Sequence, residues 1–185
     1  MPDPWDPFPF PPMGDENPYD TYSAVGLVIS EWESIEFNLA RLFSVFMGDG
    51  PSGEAIRGYG KGNIFRERRA NLEHTAEKYF IVRCDQGLEG EFNRLCTIAS
   101  GFADRRNEVA HGIVMEVGAV QFFTQRLLLA MPGRKQHLVV PPYHSIRKHD
   151  FVGMPSFAYN AEQLKTLARR LIAFGGEIVA YRERL

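Results

Sequence analysis

Between residues 22 and 47, Val25, Val28, Trp32, Ile35, Leu39, Leu42 and Phe46 recur at alternating threes and fours. That spacing predicts a helix with one core-facing seam. Leu27, Phe37, Phe43 and Val45 fall outside the seam, so this helix is expected to bury a second face. Gly48 and the GDGPSG run should end it. A second helix is expected from about Asn63 to Arg83, with Phe65, Leu72, Ala76 and Tyr79 or Phe80 inward. A third begins near Leu88, and its seam reads Leu88, Phe92, Leu95, Ala99, Phe102, then Arg106, then Val109. Arg106 stands where the register calls for an apolar side chain. A buried unpaired guanidinium is costly, so Arg106 must meet an acid, face a partner chain or line a pocket.

After Gly112 the period changes. IVMEV, VQFFTQRLLLA and HLVV are rich in β-branched and aromatic residues and are broken by GA and MPGRK. They predict a small antiparallel sheet, followed by the connecting loop PPYHSIRKHDFVGMP and a last strand at SFAY. Asn160 then caps a final helix, with Gln163 completing a capping-box pattern. Leu164, Leu167, Ala168, Leu171, Ile172, Ile178 and Val179 form its apolar face, and Gly175-Gly176 suggests a kink or a close helix contact. The expected fold is mainly α, a bundle of four to five helices with a small antiparallel β insertion at about 113–159, before the last helix.

Residues 1–19 differ from all of this. They hold seven of the twelve prolines and read as an extended arm, neither helix nor strand. Trp5, Phe8, Phe10 and Tyr19 imply that the arm docks, on its own domain or on a neighbouring subunit. Residues 20–185 are expected to form a single domain. The net charge of −2 hides an asymmetry, because residues 1–20 carry five acids and no Lys or Arg. The remainder is mildly basic, and Arg57, Lys61, Arg66, Arg68 and Arg69 cluster against Glu67 alone. Such a patch could track phosphates, and the acidic arm could mask it; a solvated helix face is the plainer reading. RGYGKGN is glycine-rich, but no strand precedes it, which argues against a nucleotide-binding loop. No apolar run reaches the ~20 residues of a membrane span, and two cysteines without a CxxC, Cys84 and Cys96, suit inert thiols in a reducing cytosol. His144, His149 and Asp150 fit no metal geometry and read as a polar loop; His74 and His137 read as surface.

The stretch RRNEVAHG, residues 105–112, ends the third helix. Asn107 and His111 are four apart and share a face, while the long Arg106 side chain can swing to the same region. A guanidinium offers planar donors to a phosphate, an imidazole moves a proton near neutral pH, and an amide orients either. Gly112 lets the chain turn away and leaves His111 near solvent.

RNEVAH at 106–111 resembles the Arg-x4-His signature of the HEPN superfamily, commonest as Arg-Asn-x3-His, and EWESIEFNLARLF resembles the opening helix of such domains. The resemblance implies a four-helix core that dimerises and pairs two motifs across the interface. It also implies a metal-independent endoribonuclease, often the toxin of a toxin–antitoxin pair or part of antiviral defence. Arg106, Asn107 and His111 would then be catalytic, with His111 moving the proton, Arg106 holding the phosphate and Asn107 positioning one or the other. Arg105 would join Arg57, Lys61, Arg66, Arg68 and Arg69 in binding RNA. No metal or cofactor is implied, and the sequence has no HExxH. The expected partners are a second copy, RNA and an antitoxin protein, without a membrane. Against this stands a structural reading, in which Glu36 on the first helix pairs with Arg106 and His111 merely meets the helix dipole. The bridge is also compatible with Glu36 holding a catalytic Arg106 in place. The alternative function is a non-catalytic HEPN-like module that binds nucleotide, nucleic acid or a protein partner.

Overall fold

The computed structural model describes residues 3–49, 53–117, 134–142, 144–145, 148 and 154–185. Among them are five helices and two strands, in the order α1 (Pro18–Phe46), α2 (Gly53–Tyr59), α3 (Phe65–Arg83), α4 (Gln86–Ala110), β1 (Ile113–Glu116), β2 (His137–Val140) and α5 (Ala161–Arg182). The fold is mainly helical with a two-stranded antiparallel sheet before the last helix, as the period change at Gly112 predicted. The segment VQFFTQRLLLA lies outside the described residues, as do Tyr143, His149 and Asp150. The chain divides into two compact units, residues 1–31 with 104–170 and residues 32–103 with 171–185.

The described elements of the second unit (residues 32–103 and 171–185) are all helices. Trp32, Ile35, Leu39, Leu42 and Phe46 of the α1 seam are all buried, as are Leu72, Ala76 and Phe80 of α3 and Phe92, Leu95, Ala99 and Phe102 of α4. The rings of Phe46, Tyr79, Phe80 and Phe92 meet edge-on or tilted, the arrangement the aromatic quadrupole favours. The short helix α2 was not expected, since glycines flank it. It accounts for part of the second face of α1: Phe43 is buried and packs on Tyr59 at a ring separation of 6.2 Å, and a Cβ at Gly58 would touch it at 3.4 Å. Leu27 of the first unit and Phe37 of the second, by contrast, are exposed. In α5 the buried positions include Leu171, Phe174, Ile178 and Tyr181, whereas Ile172 is 53% exposed. The helix runs through Gly175-Gly176 without a close approach, for a Cβ at Gly175 meets only Asn38 at 3.9 Å and one at Gly176 meets nothing.

The first unit (residues 1–31 and 104–170) is built around β2, all four residues of which are buried. On one edge β2 pairs with β1 in the register Ile113↔Val140, Val114↔Val139, Met115↔Leu138 and Glu116↔His137. Its remaining backbone groups bond Asp15 at His137 and Tyr159 at Val139. SFAY therefore supplies a single bridge where a strand was expected. His137, read as surface, is buried because both its backbone groups and its ring are held at the Asp15 backbone.

The arm docks on its own unit. A turn at residues 3–6, closed by Asp6 N–H on the Asp3 carbonyl, leads into a stretch without helix or strand. The Asp15 carboxylate then accepts from the Thr21 hydroxyl and from the Ala161 N–H, both at 2.7 Å. It thus caps the start of α5 together with the predicted box, in which Gln163 N–H donates to Asn160 Oδ1 at 3.0 Å and Asn160 N–H to Gln163 Oε1 at 3.3 Å. An N-cap of this kind stabilises a helix by about 1 kcal/mol. Three of the arm's acids have partners within the first unit: besides Asp15, Glu16 faces Arg134 at 3.5 Å, and Asp6 accepts from the Asp3 N–H.

Candidate functional site

Helical register persists through the end of α4. His111 N–H bonds the Asn107 carbonyl at 3.1 Å, and Gly112 N–H the Val109 carbonyl at 3.3 Å. That ladder puts Asn107 and His111 one turn apart on one face. Both are exposed, while Arg106, in the seam beside buried Val109, is half-buried. Arg106 Nη1 donates to Asn107 Oδ1 at 3.1 Å, so the amide holds the guanidinium at the open helix end. Cation, amide and imidazole therefore share one turn and a half of exposed helix.

Gly112 has a different reason for being glycine than chain reversal alone. A Cβ there would lie 2.5 Å from Val139 Cγ1 and 3.0 Å from the Glu108 carbonyl oxygen. Only a glycine lets the end of α4 pass this close to β2, which fixes where His111 emerges.

Arg105 is not available to a ligand in the way the sequence suggested. It pairs with Glu108 at 2.9 Å and is only 18% exposed. The Tyr159 hydroxyl also donates to Glu108. Burial pushes the Glu108 carboxyl above its usual range, against the opposing pull of Tyr159 and Arg105. The Tyr159 phenol is raised too, by burial and then by its bond to Glu108. Tyr159 is 1% exposed, and the arm residue Phe8 meets its ring edge-on at 6.2 Å. Sequence reasoning missed this trio because 51 positions separate Tyr159 from Glu108.

Glu36, expected to pair with Arg106, is held by Arg68 and Tyr59. Arg68 Nη2 and Nε reach its two oxygens at 2.6 and 3.0 Å, and the Tyr59 hydroxyl donates at 2.8 Å. Arg68 was grouped with the RNA-binding bases; its third donor goes to the Gly62 carbonyl at 3.1 Å. The hydrogen bond to Glu36 holds the Arg68 guanidinium above its usual value. These residues line an open cleft with Glu33, Phe37 and Gly60, but Glu36 and Arg68 neutralise each other within it. Arg69 likewise pairs with Glu73 at 2.8 Å and bonds the Ser100 hydroxyl. Of the expected phosphate-tracking group, Arg57, Lys61 and Arg66 remain exposed. They belong to the second unit, whereas the motif belongs to the first.

Cys96 is buried, and burial raises its thiol to about 12, which makes it inert. Cys84, read as equally inert, is exposed at the left-handed C-cap of α3, with φ 55°. Among the described residues no group of three or more His, Cys, Asp or Glu could hold a metal ion, and no helix is long and apolar enough to cross a membrane. No protein-family model, curated protein or solved structure matches the chain.

Proposed function

We propose that this chain is a metal-independent endoribonuclease of the HEPN type, acting as a homodimer and serving as the toxin of a toxin–antitoxin pair or as a defence effector. What carries the reading is the last turn of α4, where a half-buried Arg106 is bonded to Asn107 and lies one turn from an exposed His111. In the reaction, the RNA 2′-oxygen attacks the adjacent phosphorus, the new P–O2′ bond forms, and the P–O5′ bond breaks. One proton leaves the 2′-hydroxyl and one reaches the departing 5′-oxygen; His111 moves a proton at one of these two points. Arg106 neutralises the charge that grows on the phosphoryl oxygens, and Asn107 keeps the guanidinium aimed. The products are a 2′,3′-cyclic phosphate and a 5′-hydroxyl.

The test is cleavage of end-labelled RNA in EDTA by the wild type, Arg106→Ala and His111→Ala, with analysis of product ends. Cyclic phosphate from the wild type, and at least about a hundredfold less from either folded variant, is expected. RNA binding without cleavage by the folded wild type would replace the enzyme with the non-catalytic binding module.

A further inference from the structure

Three side chains, from the residue before α5 to its tenth position, donate to the arm in reverse order. Arg170 Nη1 donates to the Pro4 carbonyl at 3.1 Å, Gln163 Nε2 to the Pro9 carbonyl at 2.8 Å, and Asn160 Nδ2 to the Met13 carbonyl at 3.0 Å. The Arg170 guanidinium also stacks over the Phe8 ring at 4.6 Å, and Phe8 meets Tyr159 edge-on at 6.2 Å. A proline-rich strand has no internal hydrogen bonds, so its carbonyls are free for side-chain donors, and it enters a site already stiff. Aromatic rings, a stacking cation and donors spaced along a groove are what such a strand needs.

The grip is light. Of arm residues 3–13 only Pro11 is buried; Phe8 is half-buried, and Phe10 and Met13 are exposed at 39% and 43%. No helix or strand hydrogen bonds hold residues 7–13, in contrast to Asp15, which is locked at His137 and at the α5 cap. The arm thus has a fixed root and a lightly held tip.

We infer that Tyr159, Asn160, Gln163 and Arg170 form a recognition surface for a proline-rich segment bearing an aromatic residue, and that the chain's own residues 3–13 fill it as a tethered, exchangeable ligand. The surface is linked to the motif helix through Tyr159. Phe8 packs on Tyr159, whose hydroxyl is bonded to Glu108, and Glu108 holds Arg105 next to Arg106. Occupancy of the surface therefore bears on how the end of α4 is held. The recognition surface stands whether or not the chain cleaves RNA.

The test uses the full chain. Chymotrypsin is added to the wild type and to Arg170→Ala, and the release of the fragment cut after Trp5, the aromatic residue of the segment that proline does not follow, is measured by mass. Losing one carbonyl donor and the stacking cation should speed cleavage within the arm about tenfold, with the melting temperature nearly unchanged. In parallel, a labelled peptide of residues 3–13 is titrated onto full-length Phe8→Ala, whose own arm is weakened while the surface is intact. The peptide should bind, about tenfold more tightly than its own Phe8→Ala version, and adding Arg170→Ala to the receptor should remove that preference. Equal arm cleavage in wild type and Arg170→Ala, or equal binding of the two peptides, would overturn the inference.

Discussion

Two glutamates of this protein carry the same escort, a tyrosine hydroxyl and an arginine, and use it differently. Glu36 takes Arg68 in a two-point fork and Tyr59 at 2.8 Å, which ties α1, α2 and α3 together within the second unit. Glu108 takes Arg105 from its own helix three residues earlier and Tyr159 from beyond β2. The fork at Glu36 satisfies both carboxylate oxygens, and its side chain is 8% exposed. At Glu108 the desolvation outweighs what Tyr159 and Arg105 return, and the carboxyl titrates above its usual range. The same three residue types make a closed clamp in one place and an unevenly compensated charge beside the candidate site in the other. Geometry, not composition, separates them.

The clamp is where the largest stability change lies. Glu36→Ala leaves the Arg68 cation and the buried Tyr59 hydroxyl without their acceptor, and should cost about 3 kcal/mol in urea unfolding. A loss well under 1 kcal/mol would make the two escorts equivalent. Gly112→Ala, which drives a methyl into Val139, should cost about 2 kcal/mol because β2 is packed on every side.

The pH response sharpens the contrast at Glu108. Its folded value lies above its unfolded one, so its contribution is fully present below the unfolded value near 4.5 and is lost as pH rises through the folded value. The melting temperature of the wild type minus that of Glu108→Gln should therefore fall as pH rises from about 4.5 upward. A flat difference would show that Tyr159 and Arg105 compensate the charge completely. The smallest effect is expected away from both glutamates: Cys84→Gly relieves a left-handed residue at the α3 C-cap and should add up to about 1 kcal/mol.

What the sequence disclosed follows the range of its interactions. Seams on α1, α3, α4 and α5 were legible because a helix repeats its environment every three or four residues, and so was the Asn160–Gln163 box, which spans three. Arg106 was legible as an anomaly for the same reason. The start of α1 at Pro18 was not, although proline suits the first turn of a helix, because the proline-rich arm runs straight into it. Helix α2 has only seven residues and glycines at its borders, too short for a period to emerge. Partners were the hardest to read. With Arg57, Arg66, Arg68, Arg69, Arg105 and Arg106 all near helix ends, that Arg68 reaches Glu36 is decided by how α1 and α3 pack, which no spacing along the chain encodes. The arm's site at α5, with contacts 147 to 166 positions apart, was beyond the same horizon.

The contrast between clamp and site comes down to one paired measurement, RNA cleavage in EDTA and melting temperature on the same preparations of His111→Ala and Glu36→Gln. If α4 ends in a catalytic site, His111→Ala abolishes formation of cyclic-phosphate ends at an unchanged melting temperature, while Glu36→Gln lowers the melting temperature by several degrees. Undiminished cleavage by His111→Ala would contradict a site at RRNEVAHG.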